Sequence, residues 1–399
     1  MKPKFLVDEA ITDRDAFTAL GPVRTYATTP KECDSHWNPD ALVIRSVTSI
    51  GMDCLAQFPS LSHVFTGTAG YDHIDMGACV DNGVQVWNAP GHNAEAVADW
   101  VWTVLFQFSV EENRPLSGLR MGIVGAGHTG SAVAKRAAVH GVEVLSYDPP
   151  RSAEDASFLS CSWEEILRTD ILSFHVPLVR EGDWPTVGML SPGDVKERRW
   201  LINASRGDVF NFSDEAKVES KNLIALDVFP GEPSIAPSLV RLARLASPHV
   251  GGNTHAAKKN ATRMLLEKAS ELYGIPLPPE ASDTQRFGDS AATCRLVNVR
   301  KTMSVEEAFA VIANGIHGLA DLFKEFRSAN AFCTQEESET VFKEFRLKSR
   351  RRSFQRTPVS FESGPEREWE QAFKAHGIQV VGRERALLHV KGTLPIFEA

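Results

Sequence analysis

The stretch Arg120-Met-Gly-Ile-Val-Gly-Ala-Gly-His-Thr-Gly130 constrains the fold more than any other part of this chain. A short apolar run, Met121 to Val124, enters a turn carrying Gly125, Gly127 and Gly130, and an alanine-rich segment leaves it. The pattern predicts a strand, a tight turn and a helix start. Gly125 permits the sharp turn, Gly127 lets a pyrophosphate approach the backbone, and Gly130 lets helix and strand pack closely. The free N–H groups and the positive dipole end of the helix would face the phosphates. A second apolar run, Glu143 to Tyr147, ends in Asp148, eighteen residues after Gly130. A carboxylate there would accept hydrogen bonds from an adenosine ribose. The stretch is therefore expected to hold a dinucleotide.

Elsewhere, short apolar runs alternate with helical patterns. Phe5–Asp8, Ala41–Arg45, Val64–Gly70 and Val84–Asn88 read as strands of a first parallel sheet. Ligands of such sheets sit at carboxyl ends of strands, which here present Arg45, Ser46, Thr48 and Thr68 as a candidate anion pocket. Asn93–Ser109 is an almost uninterrupted apolar helix, expected to be a buried connector between lobes. After the glycine turn, strands are predicted at Asp170–Pro177, Trp200–Ser205, Leu223–Asp227 and Leu245–His249, with a helix over Ala256–Tyr273. The fold class is thus α/β, with two doubly wound parallel-sheet lobes of Rossmann and flavodoxin type and a small α+β C-terminal domain. The expected boundaries are 1–92 with 256–284, then 93–255, then 285–399. The last region carries helical segments around 304–327 and 336–347, strand-like pieces at Gln379–Val381 and Ala386–Val390, and a basic run from Arg346 to Arg356.

A formal charge of −8 argues against a nucleic-acid partner. Met1–Asp8 has no long apolar stretch, so neither a signal nor a membrane anchor is expected, and the expected location is the cytoplasm. The six cysteines lack a C-x-x-C pair, so no metal site is expected.

Past the predicted strand ends of the second lobe stand Arg206, Asp227, Glu232 and His249. Oxidising a 2-hydroxy acid beside a nicotinamide needs a cation for the carboxylate, a base for the hydroxyl proton, and a group that poises the base. Arg206 suits the first role by its planar fork, and His249 suits the second because imidazole titrates near working pH. Glu232 suits the third, since a carboxylate on the ring fixes its tautomer and favours imidazolium when the reaction runs as a reduction.

Four blocks go further: Gly67-Thr-Ala-Gly-Tyr-Asp-His-Ile-Asp75, Asn203-Ala-Ser-Arg-Gly207, Asp227-Val-Phe-Pro-Gly-Glu-Pro233 and Ser247-Pro-His-Val-Gly-Gly252. As a set they resemble the D-2-hydroxyacid dehydrogenase family. Val7-Asp-Glu9, Arg45-Ser-Val-Thr48, Pro90-Gly-His-Asn93, Asp148-Pro-Pro-Arg151 and Phe174-His-Val-Pro-Leu178 point to a branch acting on a phosphorylated four-carbon 2-hydroxy acid in pyridoxal phosphate biosynthesis. That resemblance implies catalytic Arg206, Glu232 and His249, with His249 as proton donor and acceptor. It implies NAD held by Gly125, Gly127, Gly130, Asp148, Asp227 and Gly252, and substrate touched by Ser46 and Thr68; Arg45, from its strand end, is expected to join them. It also implies a homodimer made by the C-terminal domain. The basic run itself has two readings: a solvated face, or a segment from which one arginine (Arg346, Arg350 or Arg352) reaches across a dimer interface to the partner's substrate phosphate. Asn253 stands at a substrate-contacting position where the branch has tyrosine; Val176 and Asn211 likewise replace a usual threonine and aspartate. Two other readings remain: the same chemistry on another acid such as 3-phosphoglycerate, or a non-catalytic NAD-sensing interaction protein.

Overall fold

The apolar runs Phe5–Asp8, Ala41–Ile44, Ile171–Phe174 and Trp200–Asn203 become strands buried along their whole length, as the inner strands of parallel sheets are. The computed structural model describes residues 2–30, 37–195, 199–213, 222–278, 295–296, 303–349, 358–360 and 367–380. Two compact units emerge: Met1–Asn93 with His255–Ala291, and Ala94–Thr254 with Ala292–Ala399.

The first unit is a five-stranded parallel sheet of β1 (Phe5–Asp8), β2 (Val23–Tyr26), β3 (Ala41–Ile44), β4 (His63–Thr66) and β5 (Gln85–Trp87) in the order β2-β1-β3-β4-β5. β2 was not legible in the sequence, because Val23-Arg-Thr-Tyr26 buries only Tyr26 and carries no apolar period. The helix His255–Tyr273 returns to this unit and buries Ala261, Leu265, Leu266 and Ala269 against Phe5, Val7, Phe17 and Phe65.

The second unit is built on a six-stranded parallel sheet, ordered β11-β10-β9-β8-β6-β7. Its strands are β6 (Arg120–Val124), β7 (Glu143–Tyr147), β8 (Ile171–Phe174), β9 (Trp200–Asn203), β10 (Leu223–Leu226) and β11 (Leu245–Ala246). Strand order reverses beside β6, which places the glycine turn at the point where a doubly wound sheet opens a crevice. The helix Ala94–Glu112 is buried nearly all round, with Trp100, Trp102, Phe106 and Phe108 fully enclosed. Each phenylalanine so buried contributes about 2 kcal/mol.

The region from 285 was expected as a domain of its own, yet its described helices complete the second unit's core. In Val305–His317, Phe309 stacks on Phe106 at 4.7 Å, and Ala308, Ile312 and Ile316 join the same cluster. Phe326 and Phe342, from the helices Leu319–Ala329 and Gln335–Lys348, pack with Phe229, Ile235 and Leu239. Capping boxes at Ser304/Glu307 and Thr334/Glu337 start two of these helices, each worth about 1 kcal/mol. Gly318, at φ 62, divides the helical stretch around 304–327 in two. A small parallel sheet, β12 (Arg295–Leu296), β13 (Pro358–Ser360) and β14 (Gln379–Val380), accompanies them. The strand expected at Ala386–Val390 lies outside the described residues.

Candidate active site

The glycine turn has the geometry its residues require. Gly125 sits at φ 89 with its N–H on the Tyr147 carbonyl at 2.9 Å, and a Cβ there would meet the His175 carbonyl at 2.8 Å. A Cβ on Gly130 would lie 2.0 Å from the Gly125 oxygen, so only glycine lets the helix His128–Ala134 close on its strand. Gly127 faces open space within 4 Å, which leaves room for a diphosphate against the backbone. These residues fit a dinucleotide.

Asp148, expected at a ribose, also holds the turn itself. Its Oδ2 accepts the Ala126 N–H at 2.8 Å and its Oδ1 the Arg151 N–H at 3.1 Å, while Arg151 Nη1 donates to the Ala126 carbonyl at 2.5 Å. Each carboxylate oxygen keeps a further lone pair for a ribose hydroxyl. Beside the turn, burial pushes His175 down to about 3, so its ring is neutral and shares a hydrogen with Ser173 Oγ at 2.9 Å.

On the same strand edge, His249 and Glu232 form a pair. His249 Nδ1 lies 2.7 Å from Glu232 Oε2, and Glu232 Oε1 accepts the Phe229 N–H at 2.8 Å. Burial pushes the Glu232 carboxyl up, but His249, the Phe229 N–H and Arg346 together outweigh it and hold it below the usual range. An ionised Glu232 makes Nδ1 the donor and leaves Nε2 as the nitrogen that exchanges a proton. His249 itself sits at φ 54, a left-handed conformation that costs a non-glycine residue about 1–2 kcal/mol.

What keeps it there is Asp227. This carboxylate is 2% exposed; Oδ1 accepts the Val250 N–H at 2.8 Å and the Ser247 hydroxyl at 2.6 Å, and Oδ2 accepts the Gly251 N–H at 2.6 Å. Its carbonyl takes the His249 N–H at 2.6 Å, and Trp100 Nε1 donates to Ser247 Oγ at 3.0 Å. Asp227, expected on the cofactor, also clamps the histidine loop. Ser247 and Trp100 were missed by the sequence reading: their link spans 147 positions and leaves no local signal.

Arg206 follows β9, half-buried, with Nη1 donating to the Ser205 carbonyl at 2.9 Å. Its neighbour Gly207 packs so tightly on Phe229 that a Cβ would fall 1.9 Å from the Phe229 carbonyl carbon, which brings the Arg206 loop against the Glu232 loop. Gly252 and Asn253 follow the histidine, and Asn253 Nδ2 donates to the Ser349 carbonyl at 3.4 Å. The strand ends thus gather Arg206, Glu232, His249, Asp227 and Gly252 on one edge of one sheet.

In the first unit, Arg45, Ser46 and Thr68 stand at the ends of the neighbouring strands β3 and β4, joined by the Gly67 N–H on the Ile44 carbonyl at 2.9 Å. Arg45 Nε donates to the buried Asp8 Oδ2 at 2.9 Å. Thr68 Oγ1 donates to the Gly70 carbonyl at 2.7 Å and lies 2.8 Å from Thr66 Oγ1, which also meets His73 Nε2 at 3.0 Å. Ser46 is exposed. Among the described residues no cluster of three or more His, Cys, Asp or Glu is placed to hold a metal, and no helix is long and apolar enough to cross a membrane.

Comparison with known proteins agrees with this geometry. Residues 93–251 match the family model of the D-isomer specific 2-hydroxyacid dehydrogenase NAD binding domain. An erythronate-4-phosphate dehydrogenase of Shewanella sp. (strain MR-7) is 34% identical over 364 residues, covering 86% of this chain and 93% of that protein. Another, from Shewanella oneidensis, is 33% identical over 378 residues, covering 92% of this chain and 97% of its own. Among solved structures, a D-lactate dehydrogenase from Aquifex aeolicus complexed with NAD and lactic acid shares the fold at TM-score 0.54 and 20% identity, over 68% of this chain and 96% of that one. An NAD+-bound 3-phosphoglycerate dehydrogenase from Entamoeba histolytica does so at TM-score 0.56 and 20% identity, over 68% and 95%. With the glycine turn at its switch point and the histidine–carboxylate pair on the same edge, the chain belongs to the D-isomer specific 2-hydroxyacid dehydrogenase family and is an NAD-dependent oxidoreductase.

Proposed function

We propose that this protein oxidises 4-phospho-D-erythronate to its 2-oxo acid, with His249 as the acid/base. The observation that carries the chemistry is the 2.7 Å contact between His249 Nδ1 and an ionised Glu232, which leaves Nε2 to take the hydroxyl proton. NAD, when bound, supplies the acceptor for the hydride leaving C2. Arg206 pairs with the substrate carboxylate and holds the C2–O–H bond toward His249. As the C–H electrons leave, the hydroxyl proton passes to Nε2, and the imidazolium so formed is stabilised by Glu232. Arg45, Ser46, Thr68 and Asn253 serve substrate binding, and Gly252 and Asp148 serve cofactor binding. The homologues' names support this substrate, and the departure at Asn253 makes another 2-hydroxy acid the reading to beat.

Turnover of a panel of D-2-hydroxy acids, followed by nicotinamide fluorescence, tests the assignment. Four-carbon phosphate should be the preferred substrate, and His249→Gln should lower kcat about 1000-fold with NAD binding nearly unchanged. A preference for 3-phosphoglycerate would replace the substrate, and NAD binding with no turnover of any acid would replace the activity.

A further inference from the structure

The helix Gln335–Lys348 ends beside the catalytic pair. Its Phe342 and Phe345 pack on Phe326, which in turn meets Phe229, the residue whose N–H binds Glu232. At its start Gln335 Nε2 donates to the Ser234 carbonyl at 3.1 Å. The helix is therefore fixed on the very loop that presents Glu232. Arg346, in its last turn, places Nη1 3.9 Å from Glu232 Oε2, the same oxygen that receives His249 Nδ1. One turn of chain later, the Ser349 carbonyl takes Asn253, four residues past His249.

From this juxtaposition we infer that Arg346 is a positioning residue of the catalytic pair: it shares the Glu232 carboxylate with His249 and thereby sets the pH at which His249 changes from acid to base. The sequence left the basic run as a solvated face or as the source of an arginine reaching a partner's substrate; Arg350 and Arg352 lie outside the described residues, and Arg346 stands beside its own chain's Glu232. The inference rests on the acid/base role given to His249 above.

The electrostatics fix the sign. A cation on Glu232 weakens that carboxylate's hold on imidazolium and also repels imidazolium directly, so it favours the neutral ring that oxidation requires. The other charged groups of this edge keep their partners in wild type and variant alike, so their fields cancel from the comparison. Asp227 holds Val250, Gly251 and Ser247; Arg206 donates to the Ser205 carbonyl; and Lys348 pairs with Glu344 at 3.2 Å. Removing Arg346 should let imidazolium persist to higher pH. Because its side chain is 39% exposed, screening limits the effect to about half a pH unit.

The test uses the full-length protein as wild type, R346Q and R346K. Imidazole NMR titration of His249 with NAD bound, its signal identified by its loss in H249Q, reads the inference without turnover. The acid limb of kcat/KM for hydroxy-acid oxidation reads it with turnover. Both should move up by about half a pH unit in R346Q, stay in place in R346K, and converge at 1 M salt. An unmoved His249 titration in R346Q overturns the inference. So does an unmoved limb with a raised KM confined to phosphorylated acids, which would make Arg346 a phosphate ligand. If the titration shifts as expected while no hydroxy acid turns over, the inference stands and the proposed activity falls.

Discussion

The two units share one winding scheme and use it in opposite ways. Both sheets begin with the second strand outside the first and the third on its other side, so each reverses direction beside its first strand. In the second unit that point carries a glycine turn with open space at Gly127. In the first it is occupied by an ion pair, since Asp8 at the end of β1 accepts Arg45 from the end of β3 and also the Ala10 N–H. Topology makes a crevice at each switch point; the residues there decide whether a nucleotide can lie in it. The same sequence of strands thus carries an open nucleotide turn in one unit and, in the other, a switch point closed by an ion pair beside the residues proposed to hold substrate.

The largest expected break in that contrast is Gly130→Val. Its new side chain collides with the Gly125 carbonyl, and NAD affinity should fall at least about 100-fold with a clear loss of stability. Gly67→Ala, at a strand end of the first unit, meets Ile11 Cδ1 at 3.4 Å and the Ile44 carbonyl oxygen at 3.6 Å, both ordinary contacts, and should leave NAD affinity within about twofold in the same calorimetric titration. Equal losses from both would show that the units are not divided as described.

Acid sharpens the contrast next. His140 and His376 face each other in the second unit's core, Nε2 to Nε2 at 2.8 Å. Burial, then Arg136, pushes His140 down to about 4, and burial, Arg136 and His140 hold His376 well below its ordinary value. A base whose folded value is depressed gives its full stability above the ordinary 6.5 and loses it as pH falls toward 4. The second unit should lose about 3 kcal/mol over that window. Hydrogen exchange should show Val305–His317 and Arg367–Ala375 deprotecting on acidification before β1 and β3, and the reverse order would refute the pair's role.

Asp227→Asn comes third. It leaves the loop its shape but removes one charge-assisted acceptor from Val250, Gly251 and Ser247, costing about 2 kcal/mol of stability. Since His249 is held at a strained φ by this loop, kcat should drop about tenfold or more with KM nearly constant. A pure KM effect would return Asp227 to the cofactor role its sequence position suggested. The smallest effect is expected from Arg45→Gln, which leaves buried Asp8 with the Ala10 N–H and a neutral partner. Thermal unfolding should shift by about 1 kcal/mol and NAD affinity should not move, while KM for the hydroxy acid should rise if Arg45 serves substrate binding as proposed.

Much of this was legible before any coordinates. The glycine spacing, the run into Asp148 and the apolar strands are local patterns, and local backbone sterics translate them directly into a turn and a sheet. The trio Arg206, Glu232 and His249 could be nominated because each follows a strand of one doubly wound sheet, where parallel winding forces loop ends onto a common edge. β2 was illegible because its residues carry no apolar period, and the C-terminal segments read only as helical, with nothing local to name what would cover them.

Sequence by itself determined which chemical groups the strand ends present and that a dinucleotide turn lies among them. Only the tertiary structure decided that Asp227 clamps the histidine loop through Ser247 and Trp100, that two histidines meet across 236 positions, and that Arg346 ends beside Glu232. The reason is range: turn sterics and strand burial act between near neighbours, whereas these contacts are chosen by how distant apolar faces exclude water together, and no window along the chain contains both partners.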